Sequence, residues 1–347
     1  MNTQIIQIDK NNIDKNLIKE AAKYIKEGKL VAFPTETVYG LGANGLDAEA
    51  VKRIFLAKGR PQDNPLILHI ASIEQIYPLV NEIPVLSYKC MERFWPGPLT
   101  MIFKRSQLVP SVITAGLDTV AIRMPNHPIA LELIKSSNTP IAAPSANLSG
   151  APSPTIAKHV IDDQYGRIDM IIDGGSTGVG VESTVLDLTG DVPMILRPGG
   201  ITMEDLKEII PDVEQDIGTL KEGVTPKSPG QKYRHYAPKA EMYLYTGKVE
   251  DIVGSIKENV KRLLTEGKKV GIMATEETKA NYDEGLVLVV GSRNNRETIA
   301  SNLFNALRHF DEENVDIILA EGVELDHIGM AIMNRMTKAA GGKVINV

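Results

Sequence analysis

A single cysteine, Cys90, stands among 347 residues. That scarcity excludes an internal disulfide and a cysteine-built zinc site, and it fits a reducing cytoplasm. No apolar run approaches the roughly 18 residues of a membrane span. The start, Met1-Asn2-Thr3-Gln4, lacks the basic-then-apolar pattern of a secretory signal. A cytoplasmic protein that does not enter the membrane is expected. A surplus of positive charge is missing too. Residues 1–200 carry 19 Lys/Arg and 20 Asp/Glu, and the remainder 19 and 24, so the halves hold −1 and −5 of the net −6. Nucleic-acid binding by bulk electrostatics is therefore not the expected main role. The familiar phosphate signatures are absent as well: no Gly-Lys-Ser/Thr loop and no Gly-x-Gly-x-x-Gly after a first strand.

What is present is an ordinary globular composition, 43% hydrophobic and 24% charged, in a chain long enough for two domains. The first two hundred residues alternate helical and strand patterns. Leu17, Ile18, Ala21, Ala22 and Ile25 recur at helical spacing, with Gly28 as a stop. Asp47 is a candidate N-cap for a helix through Ala57. Further helices are expected near Val85–Phe94, Pro128–Lys135 and Thr155–Val160. Short strands are expected at Leu30–Phe33, Leu66–Ile70, Thr100–Phe103, Val120–Arg123, Ile141–Ala143, Met170–Ile172, Thr184–Leu188 and Met194–Leu196. This predicts one α/β domain over 1–210 with a twisted, mixed sheet. Glycines and prolines then break all periodicity, so 211–239 reads as a linker. Strands at Met242–Tyr245, Val270–Ala274, Leu286–Val290 and Ile317–Ala320, alternating with helices, predict a smaller α/β domain over 240–347.

The richest segment is Phe33-Pro34-Thr35-Glu36-Thr37-Val38-Tyr39-Gly40-Leu41-Gly42. A buried strand runs into a turn that packs hydroxyls, a carboxylate and glycines together, which suits a ligand floor or a capped loop. Lys58-Gly59-Arg60-Pro61, followed by Asn64-Pro65-Leu66, sets two cations in a stiff loop. They serve either as solvated charges at a helix end or as a triphosphate clamp. Ala143-Pro144-Ser145-Ala146-Asn147-Leu148-Ser149-Gly150 is either a plain Ser/Asn turn or a loop that lets a ligand approach. Arg123, Ser183-Thr184 and Arg197 sit at strand ends, where open α/β sheets bind ligands. His69, inside an apolar strand, is a core histidine or a substrate contact. His127, His159, His309 and His327 read as surface or capping residues. Trp95-Pro96-Gly97-Pro98 reads as a structural turn.

Taken in order, Pro34–Leu41, Lys58–Pro61 with Asn64–Leu66, Trp95–Thr100, Ala121–Pro125, Pro144–Asn147 and Ser183-Thr184 resemble the YrdC-like domain of the threonylcarbamoyl-adenylate synthases. The paired Lys-x-Arg and Ser-x-Asn signature falls on Lys58, Arg60, Ser145 and Asn147, which the resemblance makes catalytic. Ser228–Pro238 is similar to the linker of the long form, and the tail to that form's Rossmann-like C-terminal domain. The resemblance implies a nucleotidyltransferase that joins L-threonine, bicarbonate and ATP into L-threonylcarbamoyladenylate and pyrophosphate. It implies Mg2+ carried by the ATP phosphates, and no metal held by the protein itself. The product would feed threonylcarbamoyl modification of the adenosine beside the tRNA anticodon, through downstream transfer enzymes. An auxiliary RNA contact is compatible with this. By the resemblance, Thr35, His69, Arg123, Ala143 (through backbone) and Ser183 take threonine. Arg60, Asn64, Thr119, Ser145, Ser153, Arg197 and Tyr236 take ATP, with Tyr236 on a linker expected to close as a lid. A carbamoyl-transfer protein of the hydrogenase-maturation kind shares such a domain, but its zinc fingers need cysteines this chain lacks.

Overall fold

The computed structural model describes residues 2–216 and 235–347. Its strands in the first part are β1 (Gln4–Gln7), β2 (Val31–Phe33), β3 (Gly40–Asn44), β4 (Ile67–His69), β5 (Leu99–Lys104), β6 (Thr119–Arg123), β7 (Ile141–Ala142), β8 (Met170–Asp173), β9 (Thr184–Asp187), β10 (Met194–Arg197) and β11 (Glu214–Gln215). They form one mixed sheet in the order β1-β8-β2-β3-β7-β4-β6-β5-β9-β10-β11.

Period-two alternation decides which face each residue serves. On β2, Val31 and Phe33 join the apolar cluster of Ile18, Ala21, Ala22 and Ile25 on helix α1 (Lys15–Lys26), while Ala32 joins the cluster on the opposite face. Asp14 caps α1 by accepting from the Asn16 and Leu17 amides, and its buried stripe is the one the spacing predicts. Helix α2 (Ala48–Lys58) starts at the expected cap, Asp47, and ends at Gly59 in a left-handed conformation, φ 62°. Helices α3 (Val85–Phe94), α4 (Ser111–Thr114), α5 (Pro128–Ser137), α6 (Ala157–Gln164) and α7 (Met203–Lys207) follow.

Two sequence expectations change. Gly40 and Gly42 lie in strand β3, not in the turn. A Cβ on Gly42 would stand 2.8 Å from the Phe33 ring and 2.9 Å from Ile141 Cγ2, so close side-chain packing requires the glycine, not ligand approach. The linker reading also begins too early, because Glu214–Gln215 pairs in parallel with β10. Residues 217–234 lie outside the described residues, and most of the expected lid lies with them.

Compact grouping divides the chain into two units. The second holds the C-terminal residues together with the short segments Gly150–Pro152 and Val179–Val181. Its strands β12 (Glu241–Thr246), β13 (Val270–Ala274), β14 (Leu286–Val289), β15 (Ile317–Glu321) and β16 (Val344–Asn346) form a wholly parallel sheet ordered β14-β13-β15-β12-β16. The crossovers run through α8 (Val249–Thr265), α9 (Arg296–Glu312) and α10 (Ile328–Ala339), as in doubly wound folds. Glu321, at the end of β15, is fully enclosed by Thr275, Thr278, Tyr282 and Arg293.

Candidate active site

The site is built around the middle of the large sheet. Parallel pairing of β4 with β6 sets His69 beside Arg123, and antiparallel pairing of β5 with β6 sets Thr100 on Arg123's other side. Arg123 is therefore not an edge residue. It is 4% exposed and fixed on three sides. Its Nε donates to the Gly97 carbonyl at 3.3 Å, its Nη1 to Thr37 Oγ1 at 3.0 Å, and its Nη2 lies 2.7 Å from Glu36 Oε1. The Trp95–Pro98 turn is structural, as expected, with Trp95 Nε1 bonded to the Leu99 carbonyl, but it also supplies Arg123 with an acceptor.

The Pro34–Tyr39 segment is the hairpin loop between β2 and β3. Thr35 Oγ1 donates to the Val38 carbonyl at 2.7 Å and accepts from the Thr37 and Val38 amides, a local turn that holds Glu36 and Thr37 toward Arg123. Tyr39 ties this loop down by donating to the Gly175 carbonyl at 2.6 Å and accepting from the Gly174 amide.

Beside the hairpin lies the Ala143–Ser149 loop. The Leu41 amide bonds to the Pro144 carbonyl and the Ala146 amide to that of Tyr39. Ser145 Oγ donates to Asn147 Oδ1 at 2.6 Å. Lys58, 3% exposed at the end of α2, drives its ammonium into this loop and donates to the Ser145 and Asn147 carbonyls, each at 2.5 Å. The Ser149 amide returns a bond to the Lys58 carbonyl. Lys58 is thus neither solvated nor simply a point charge beside a ligand: it organises the Ser-x-Asn backbone.

At the opposite end of β4 and β6 stand Arg60, Asn64 and Thr119. Arg60 Nη2 donates to the Asn64 and Pro65 carbonyls at 3.2 Å, and its guanidinium lies over the Phe55 ring. Asn64 is completely buried, yet neither its Oδ1 nor its Nδ2 has a hydrogen-bond partner. A buried amide left this way is costly. Thr119 opens β6, four residues before Arg123, or ~13 Å at the strand rise. Ser183 joins the Arg123 end through Thr100, Oγ1 to Oγ 2.8 Å, and receives Arg197 Nη2 at 3.1 Å. Antiparallel pairing of β7 with β4 carries Ala143 past His69 to the level of Ile67, whose carbonyl accepts from the Ala143 amide. The structure therefore gathers Thr35, His69, Arg123 and Ser183 at one end and Arg60, Asn64 and Thr119 at the other, with Ala143 between them beside Ile67. Ser153 is fully buried and donates to Glu182 Oε1. Tyr236 belongs to the C-terminal unit, where it stacks at 5.2 Å on Phe304 and lies under Arg335.

Sequence reasoning missed Glu36 and misplaced His127 and His159, which are buried. His159 accepts from the Thr155 amide one turn earlier. His127 occupies the N-cap position of α5 without a side-chain cap bond, and the Glu36 charge acts on it.

Both site histidines are neutral in the fold. Burial, with the Arg123 charge second, lowers His69 from its ordinary 6.5 to about 3. Burial lowers His127 to about 4, against the pull of Glu36. Each binds a proton more readily when unfolded, so stability is full above pH ~6.5 and falls as the pH drops toward these values. Thermal melts should lose stability between pH 7 and 5, with a limiting slope of about 1.4 kcal/mol per pH unit for each histidine. His69→Gln or His127→Gln should flatten the curve, and an unchanged slope would refute the assignment.

A central-sheet arginine with a carboxylate partner, a neutral histidine beside it and a second polar cluster ~13 Å along the same strands mark the candidate site of this α/β protein. The comparisons agree. The family described as "Telomere recombination" matches residues 23–199, and "Threonylcarbamoyl-AMP synthase, C-terminal domain" matches 201–341. A threonylcarbamoyl-AMP synthase of Pyrococcus abyssi is 54% identical, covering 99% of this chain and 100% of that one. Its Bacillus subtilis counterpart is 52% identical over 94% of each. The crystal structure of Pyrococcus abyssi Sua5 complexed with L-threonine superposes with a TM-score of 0.95 at 53% identity, covering 99% and 100% of the two chains. The chain belongs to the threonylcarbamoyl-AMP synthase family, in its two-domain form.

Proposed function

We propose that this chain converts L-threonine, bicarbonate and ATP into L-threonylcarbamoyladenylate and pyrophosphate. One observation carries the reading: Arg123, buried and rigidly held, presents a fork suited to an amino-acid carboxylate at one end of the strands whose other end carries Arg60 and Asn64. Family membership supplies the identities of the two ligands.

In this reading the threonine ammonium gives up a proton, and the amine so formed takes up the carbon of bicarbonate with loss of water to give a carbamate. A carbamate oxygen then attacks the α-phosphorus of ATP, forming the P–O bond as pyrophosphate leaves. Such a nucleophile is weak and labile, so alignment and charge neutralisation dominate over proton transfer. Arg123 and Thr35 hold threonine from its carboxylate side, with Ala143 (backbone) and Ser183 beside them. Neutral His69 offers a hydrogen bond without adding a second positive charge next to Arg123. Arg60, Asn64, Ser145 and Asn147 line the phosphates, and Lys58 keeps the Ser-x-Asn loop in shape. Thr119, Ser153, Arg197 and Tyr236 stay nucleotide residues on the resemblance, as does the lid.

Mg2+ is proposed, as the resemblance implies, to arrive on the ATP phosphates and to offset their charge. The product is proposed to feed threonylcarbamoyl modification of tRNA in the cytoplasm through a separate transfer enzyme, with RNA contact here no more than auxiliary. Pyrophosphate release with MgATP should require threonine and bicarbonate together. Release that ignores either one rejects the proposal.

A further inference from the structure

We propose that Glu36 receives the α-ammonium of the amino-acid substrate, so that Glu36 and Arg123 form a two-point clamp for a zwitterion. This rests on the threonine reading above and adds a binding residue to it.

Glu36 has a defined place. The Thr35 turn fixes its backbone from one side, and its carbonyl accepts from the Gly178 amide at 3.1 Å on the other. Its side chain is 13% exposed and stands 2.7 Å from Arg123 Nη2. The charges are close, yet the N–H is not aligned: neither Glu36 oxygen and not Arg123 Nη2 makes a hydrogen bond. Buried carboxylates ordinarily collect aligned donors, and leaving both oxygens without one is costly. The cation against the Glu36 carboxylate is Arg123, since burial holds His127 neutral despite the pull of Glu36.

An α-amino acid answers this arrangement group for group. Its carboxylate brings two acceptors to the guanidinium, and its ammonium brings three donors to the carboxylate, the two groups sharing one carbon. Inserting a zwitterion into an ion pair leaves the net charge of the pocket unchanged. A hydroxy acid of the same shape meets Arg123 but leaves Glu36 with no donor cation. Selectivity for the amine should therefore reside in Glu36.

The test compares wild type, Glu36→Gln and Glu36→Asp by calorimetry with threonine, with 3-hydroxybutanoate (threonine without its amine) and with ATP. The expected result is a roughly 10- to 100-fold loss of threonine affinity in Glu36→Gln, with 3-hydroxybutanoate and ATP bound no more weakly, and partial recovery in Glu36→Asp. Unchanged threonine affinity in Glu36→Gln overturns the inference, and so does a loss shared equally with ATP, which marks a structural role. A wild type that binds ATP but no threonine rejects the functional reading itself.

Discussion

Lys58→Ala is expected to lower kcat/KM for ATP by at least about 100-fold, the largest single loss in the nucleotide half of the site. The reason lies in what the ammonium touches. It bridges the Ser145 and Asn147 carbonyls from a buried position. Charge-assisted bonds of this kind are worth about 1.5–3 kcal/mol each, and removing the donor takes one from each of the two carbonyls. The loop that carries Ser145 and Asn147 would then relax. Arginine should not rescue the site, because a planar fork cannot take the place of a compact ammonium between two converging carbonyls. Arg60→Ala, which removes the proposed phosphate charge and the bonds to the Asn64 and Pro65 carbonyls but leaves the Ser145–Asn147 loop anchored, should cost roughly tenfold. Hydrogen exchange separates the two effects: only Lys58→Ala should speed exchange at the Ala146 and Ser149 amides. Near-normal rates in Lys58→Ala would contradict this account.

Arg123→Ala is expected to raise KM for threonine by at least about 100-fold while leaving ATP affinity within about twofold. It should also destabilise the fold by about 3–5 kcal/mol, since Glu36 keeps a buried charge without its counter-ion. The double variant Arg123→Ala/Glu36→Gln should recover much of that stability and none of the threonine use. Thermal melts and threonine titrations read the two quantities independently. A single variant with unaltered threonine KM would remove Arg123 from the amino-acid site.

Much of the architecture was legible in the sequence where periodicity and punctuation agree. Asp47 before an apolar stripe starts α2 where expected, and the expected end at Ala57 falls one residue short of the observed Lys58; the apolar spacing of Val85–Phe94 marks α3 at its observed ends. Strand β3 escaped because Gly40 and Gly42 read locally as a turn; only the Phe33 and Ile141 side chains, distant in sequence, show why they are glycines. β1 and β16 escaped because short edge strands of mixed polarity carry no clean alternation.

The site divides along the same line. Ordered motifs pointed to Lys58, Arg60, Ser145, Asn147 and Arg123, but not to what each touches. That Lys58 serves a loop about ninety residues away follows from the packing of α2 against the Ala143–Ser149 segment, not from its own neighbours. Glu36 was passed over because a carboxylate in a turn has no local signal until the β2–β3 hairpin and β6 place it against Arg123. His127 read as a surface or capping residue before Pro128, and only the fold shows it buried, with no side-chain cap bond.

The central claim is that one crevice holds an amino acid and a nucleotide along the same pair of strands. A crystal structure with threonine and a non-hydrolysable ATP analogue tests it directly. The account predicts the threonine carboxylate on Arg123, its ammonium on Glu36, and the phosphates between Arg60 and the Ser145–Asn147 loop. Density for the two ligands in separate places, or threonine away from Arg123, would contradict it.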